Sequence, residues 1–240
     1  MAAFLAAARA RVASLGDADA RVASLGDVLL RRADLSLLAS GRLWLNDACV
    51  AFSFESLRAR VLGDDARVLL VPGATTFLLI QNADLAAAVL EPLRFAEREL
   101  ALFAVNDNPD AAAAGGGSHW SLLAYHRANQ RLLHFDSGGG ANAAAARRLA
   151  AALKPFLAPG TSFGAARCAH QGNSHACGDY VVAFAERLAA AIARAAPGGE
   201  GGVDLEAAAR GVTDADAAAT RRRALALALE LQEEQGRSGS

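Results

Sequence analysis

The 240-residue chain carries 24 Lys and Arg against 25 Asp and Glu, a net charge of −1, and no long basic stripe, which argues against nucleic acid or an anionic membrane as partner. Its hydrophobic fraction of 53% is inflated by alanine, yet the larger apolar residues fall in separate blocks sufficient for one large domain. Cys49, Cys168 and Cys177 are odd in number and widely spaced, which argues against a disulfide framework and for a reducing compartment, with cytoplasm or nucleus expected.

In chain order, RVASLGD occurs at 11–17 and again at 21–27. Two copies do not make a solenoid, so residues 1–24 are expected to form an N-terminal extension. The opening residues lack a basic segment ahead of their apolar stretch, and no secretory signal is expected. Residues 33–62 read as a polar-capped loop leading into a helix. That helix carries Cys49, Phe52 and Leu57 near one apolar face, with Asn46 or Asp47 as N-cap. A short strand is expected at 67–71, stopped by Pro72-Gly73, then a helix at 84–93 and a buried strand at 99–105. NDNPDAAAAGGGS (106–118) is loop by composition. HWSLLAYH (119–126) and RLLHFDS (131–137) read as a β-hairpin about a turn at 127–130. Helices follow at 141–157, ended near Pro155, at 179–196, and at 215–235 after a Gly-rich break. In the last of these Arg221–Arg223 are expected on the solvated side, and residues 236–240 are expected to be a disordered tail. Strands and helices are interspersed around a hairpin, without repeated βαβ units, so the class is α+β.

The hairpin can be pushed further. If Arg127 faces Gln130 across the turn, His119 falls opposite Gly138. Asp136 then lies on the same sheet face as the diagonal neighbour of His119, roughly 7–8 Å away. A carboxylate there would receive an imidazole N–H and favour the imidazolium form. Cys177 precedes a predicted helix, whose free N–H groups and dipole favour an anion. Gly178 leaves room for a substrate beside the sulfur. Gln171 could aim an amide N–H at an oxyanion, a donor contributing roughly 3 kcal/mol in a transition state. Together His119, Asp136, Gln171 and Cys177 compose an acyl-transfer site. A blander reading stands beside it, in which a buried thiol, a structural histidine and polar loop residues occur by coincidence. Cys168-Ala-His170 with His175-Ala-Cys177 invites a zinc reading, but that spacing is not a usual knuckle. Cys49 is expected in the core, and His126 and His134 on the hairpin's solvent face or packed edge.

Four stretches, in order, resemble the Ulp/sentrin-type cysteine proteases that act on ubiquitin-like modifiers, and most of all their deneddylase branch. They are ADLSLL with WLNDACVAFSFESL, LFAVNDN, GGGSHWSLLAY with LLHFDS, and QGNSHACGDYVV. The resemblance spans roughly residues 25–235. It implies a papain-like, Ulp-type fold with a central mixed sheet containing a hairpin, flanked by helices. It further implies that Cys177 is the nucleophile, His119 the base and acid, Asp136 its orienting carboxylate and Gln171 part of the oxyanion hole. Trp44, Asp47, Asn106 and Trp120 would bind substrate, the two tryptophans walling a channel that admits only a Gly-Gly tail. Loop 106–118 would order over bound modifier.

The implied activity is a thiol isopeptidase and endopeptidase for a neddylation-type modifier, acting on its precursor or on conjugates such as cullins. It would be a monomer that needs no metal or organic cofactor. The chain departs from the family pattern at Ala176, where an acidic residue usually precedes the nucleophile. Rival readings are a SUMO-specific protease on the same scaffold, a catalytically weak modifier-binding module, and an acyltransferase.

Overall fold

The computed structural model describes residues 2–110, 116–196 and 202–238. Helix α1 (Ala2–Ala13) precedes a small antiparallel hairpin, β1 (Arg21–Leu25) and β2 (Val28–Arg31), then α2 (Arg32–Ser40) and α3 (Asp47–Leu57). β3 (Val68–Val71), α4 (Gly73–Gln81) and α5 (Ala86–Leu90) lead into β4 (Leu100–Asn106), β5 (Trp120–His126) and β6 (Arg131–Phe135). α6 (Ala143–Leu153), β7 (Ser162–Ala165), α7 (Cys177–Arg194), α8 (Leu205–Arg210) and α9 (Asp214–Ser238) complete the chain.

The central sheet runs β3-β4-β5-β6-β7, with parallel pairs at its two edges and antiparallel pairs in its middle. It is mixed and helix-flanked, as expected. Strand alternation divides the core into two layers. Leu100, Leu102 and Ala104 of β4 pack with Phe52, Tyr180 and Phe184 of α3 and α7. Ala101, Phe103 and Val105 face Leu79 of α4 and Leu149 of α6 on the other side. β4 is buried on both faces, which explains its unbroken apolar run.

The β5–β6 register places Leu122 opposite Phe135 and His126 opposite Arg131, the pairing that a turn at 127–130 implies. Several other expectations need correction. Residues 32–40 are helical rather than loop; the Asp34 carboxylate accepts the Arg31 backbone N–H at 2.7 Å, and Gly41 ends the helix at φ 68°. α4 is an apolar helix that lacks the polar face by which periodicity finds helices. β7 is a mostly exposed edge strand with no alternation to betray it. Residues 2–24 pack onto the domain, with Ala8, Val12 and Ala23 in the core. α9 extends through Ser238, so helix replaces the expected tail up to there; residues 239–240 lie outside the described residues.

His126 and His134 are both buried, not solvent-facing. The His134 Nε2 pairs with Ser121 Oγ at 2.9 Å, whereas His126 Nε2 lies 3.9 Å from Glu99. Arg221 is also buried, in an ion pair with Asp179, because α9 turns that part of its surface toward α7.

Candidate active site

The hairpin brings two proposed residues together. His119 stands just ahead of β5 and Asp136 just after β6, and His119 Nε2 lies 2.6 Å from Asp136 Oδ1. Gly138 allows this approach, because a Cβ there would come within 2.6 Å of the imidazole Cε1. Asp136 also accepts the backbone N–H groups of Gly138 at 2.8 Å and Asn142 at 2.9 Å. Burial alone would raise its carboxyl, but these donors and His119 hold it at about 2.

Nε2 being occupied by the carboxylate, Nδ1 is left for the sulfur. Burial disfavours charge on His119, but hydrogen bonds with Asp136 and with Cys177 outweigh it and lift the imidazole to about 9. Cys177 is the first residue of α7, so the sulfur sits at the helix end where backbone N–H groups are free. Ala176 occupies the N-cap and supplies no side-chain cap. Gly178 has a different reason from the one the sequence suggests: a Cβ there would press on the Leu45 side chain at 3.1 Å.

Gln171 is anchored through both atoms of its amide. Its Oε1 accepts from Ser137 Oγ at 2.8 Å, and its Nε2 donates to the Asn173 carbonyl at 2.6 Å. One of its two amide N–H groups is thus engaged by the loop that carries Cys177. Asn173 in turn accepts the backbone N–H groups of His175 and Ala176 through its Oδ1, at 3.0 and 2.9 Å. Such an Asx turn shapes the approach to the helix.

The four substrate-binding candidates converge on the same cleft. Trp44, Asp47, Asn106 and Trp120 all line it beside His119 and Cys177. Its volume of about 130 Å³ falls well below the roughly 300–1,000 Å³ of pockets for compact small molecules, which suits a thin extended tail. Trp120 is buried and donates from Nε1 to the Leu45 carbonyl at 2.9 Å. Trp44 is half-exposed and ties the opposite lip to the Ser174 carbonyl at 2.7 Å. Asp47 is pushed up by burial, against the pull of its own backbone N–H. Asn106 ends β4 and accepts the Asn108 backbone N–H at 2.9 Å. Gly116 and Gly117 also line the cleft, while residues 111–115 of the loop expected to order over substrate lie outside the described residues.

Two supporting residues escape the sequence reading. Asp107 accepts the backbone N–H of His119 at 2.9 Å and that of Ser118. Asn142 is buried and donates from Nδ2 to the carbonyls of Val105 at 3.0 Å and His119 at 3.1 Å. The only local hint was an Asn or Asp at a strand end and at a helix start. Among the described residues, no three His, Cys, Asp or Glu side chains are grouped as a metal site, so Cys168, His170, His175 and Cys177 do not converge on one.

No family model matches the chain. Among curated proteins, Sentrin-specific protease 8 of Rattus norvegicus is 35% identical over 175 residues, covering 70% of this chain and 79% of that protein. The Homo sapiens Sentrin-specific protease 8 is 35% identical over 166 residues, covering 67% and 77%. NEDD8-specific protease 1 of Arabidopsis thaliana is 31% identical over 162 residues, covering 65% and 70%. Among solved structures, the C-terminal Ulp1 protease domain in complex with Smt3, the yeast ortholog of SUMO, superposes with a TM-score of 0.68. It is 15% identical and covers 93% of this chain and 94% of that one, a likeness of fold.

Proposed function

Because the chain belongs to the Ulp/sentrin-type cysteine proteases, we propose that it is a deneddylase, cleaving after the C-terminal Gly-Gly of a NEDD8-type modifier. The observation that carries this reading is His119 held by Asp136 at 2.6 Å, with Cys177 beside it at the mouth of a narrow cleft. His119 holds the thiol proton as an imidazolium, and the sulfur attacks the carbonyl carbon of the terminal glycine. Backbone N–H groups at the head of α7 are placed to stabilise the resulting oxyanion. Collapse breaks the C–N bond; the leaving amine takes its proton from His119, and a thioester remains. A water, deprotonated by His119, then attacks the thioester carbonyl and releases the modifier and the thiol.

The two tryptophans and the glycines beside them favour a tail without side chains. Precursor processing and removal from conjugates such as cullins, by a monomer in cytoplasm or nucleus, complete the proposal. The test uses NEDD8, SUMO and ubiquitin fusions side by side, with a NEDD8 probe bearing a C-terminal electrophile. The expected result is preferential NEDD8 cleavage, a probe adduct on Cys177, and a loss of more than about 10⁴-fold in Cys177→Ala. Preference for SUMO would overturn the branch; a probe adduct retained in Cys177→Ala would overturn the nucleophile.

Ala176 at the N-cap favours one second reading, a modifier-binding module with slow hydrolysis. Tight NEDD8 binding without labelling of Cys177 would support it.

A further inference from the structure

Asp179 lies two residues beyond Cys177, in the first turn of α7, and is buried. A carboxylate at that position favours the helix but competes with a thiolate for the same end of the dipole, and repels it. Arg221 meets it from α9. Its Nε donates to Asp179 Oδ1 at 2.8 Å, and its Nη2 lies 2.8 Å from Oδ2. Nη1 extends to the Leu37 carbonyl of α2 at 3.4 Å. One residue of the C-terminal helix thus ties the turn that carries the sulfur to α2.

Other ionisable groups surround the pair. Asp34 of α2 and Cys49 of α3 lie on its inner side, and His175 lies on the loop before α7. Asp34 is itself occupied by Asn46 Nδ2 at 2.7 Å and by the Arg31 N–H. Cys177 faces His119 and, across the cleft, Asp47. Arg221 is therefore the cation that meets Asp179 directly.

We infer that Arg221 is a positioning residue for the proposed thiol chemistry, cancelling the charge of Asp179 in the first turn of the helix that Cys177 opens and fixing the turn that presents the sulfur. The inference rests on Cys177 being the nucleophile. It makes a prediction of opposite signs. An Asp179 left unpaired by Arg221→Met opposes the thiolate, whereas an Arg221 left unpaired by Asp179→Asn favours it.

The test is the rate of iodoacetamide alkylation of Cys177 against pH, in a Cys168→Ser background, read by mass on the peptide that carries Cys177. The expected result is a midpoint moved up by about half a pH unit or more in Arg221→Met, moved down in Asp179→Asn, and restored in the double variant. Shifts of the same sign, or lowered thermal stability with an unmoved midpoint, would reduce the pair to a structural tie and overturn the inference. If Arg221→Met does not fold, Asp179→Asn decides alone: a downward shift supports the inference and an unmoved midpoint overturns it. Alkylation needs no modifier, so a parent protein that alkylates normally but leaves a NEDD8 fusion intact would count against the proposed substrate and not against this pair.

Discussion

His119, lifted from 6.5 to about 9, remains an imidazolium at neutral pH in the folded protein. A raised folded value stabilises the fold below the unfolded value of 6.5, and that contribution is lost as pH rises through about 9. Asp136 works with the opposite sign: held at about 2 against 3.8, it stabilises above 3.8 and loses that contribution as pH falls through about 2. The expected kcat/KM profile therefore declines on the alkaline side with a limb near 9. In Asp136→Asn that limb should move to lower pH, and kcat should fall by roughly 10²–10⁴-fold. A limb unmoved by the substitution, in stopped-flow measurements on a modifier fusion, would show that the carboxylate does not set the imidazole. The pairing itself was legible in the sequence, because turn length and strand alternation alone place these two side chains on one face. The anchoring of Gln171 Oε1 was not legible, since it depends on Ser137, far away in the chain.

Among the elements, the start of α3 and the start of α6 carry the most testable local chemistry. Asn46 Oδ1 accepts the Cys49 N–H at 3.0 Å while its Nδ2 holds Asp34, so one side chain caps α3 and joins it to α2. Asn46→Ala should cost about 1 kcal/mol, read as a fall of about 2–4 °C in Tm. Asn142→Ala removes one donor each from the carbonyls of Val105 and His119, the latter still accepting from the Asp107 N–H at 3.3 Å, at a cost of about 1 kcal/mol. It should also lower kcat more than it changes KM, because the His119 backbone is then held by Asp107 alone while the cleft stays formed. An N-cap signal exposed α3, periodicity exposed α7, and turn and alternation exposed the hairpin to sequence reading. α4 and β7 lacked both, one being apolar all round and the other a short exposed edge.

For the molecule as a whole, α7 couples chemistry to the core. Its first residue is the candidate nucleophile, and one turn further Tyr180 and Phe184 pack together at 5.7 Å, with Phe184 meeting Phe135 of β6 at 5.8 Å. The Tyr180 hydroxyl also donates to Asp214 at 2.9 Å, tying α9 to the same helix. Phe184→Ala should destabilise by about 3–5 kcal/mol. Urea unfolding should show a lowered midpoint and an unchanged slope; a loss under about 1 kcal/mol would mean the site collapses around the vacancy.

The sequence by itself determined what depends on neighbours along the chain: the hairpin and its register, the strand buried on both faces, and a cysteine at the head of an apolar helix. Alternation and helical periodicity act over a few residues, so local order suffices to read them. Only the tertiary structure decided matters that depend on remote partners. The two RVASLGD copies show this most directly, since the first closes α1 and the second forms β1, under identical local propensity. Arg11 of the first copy is held by the Leu229 carbonyl of α9, while the second copy pairs with β2. The same reason buried Arg221, His126 and His134: whether a polar side chain is covered is set by which distant elements pack over it, and that information is spread across the whole chain.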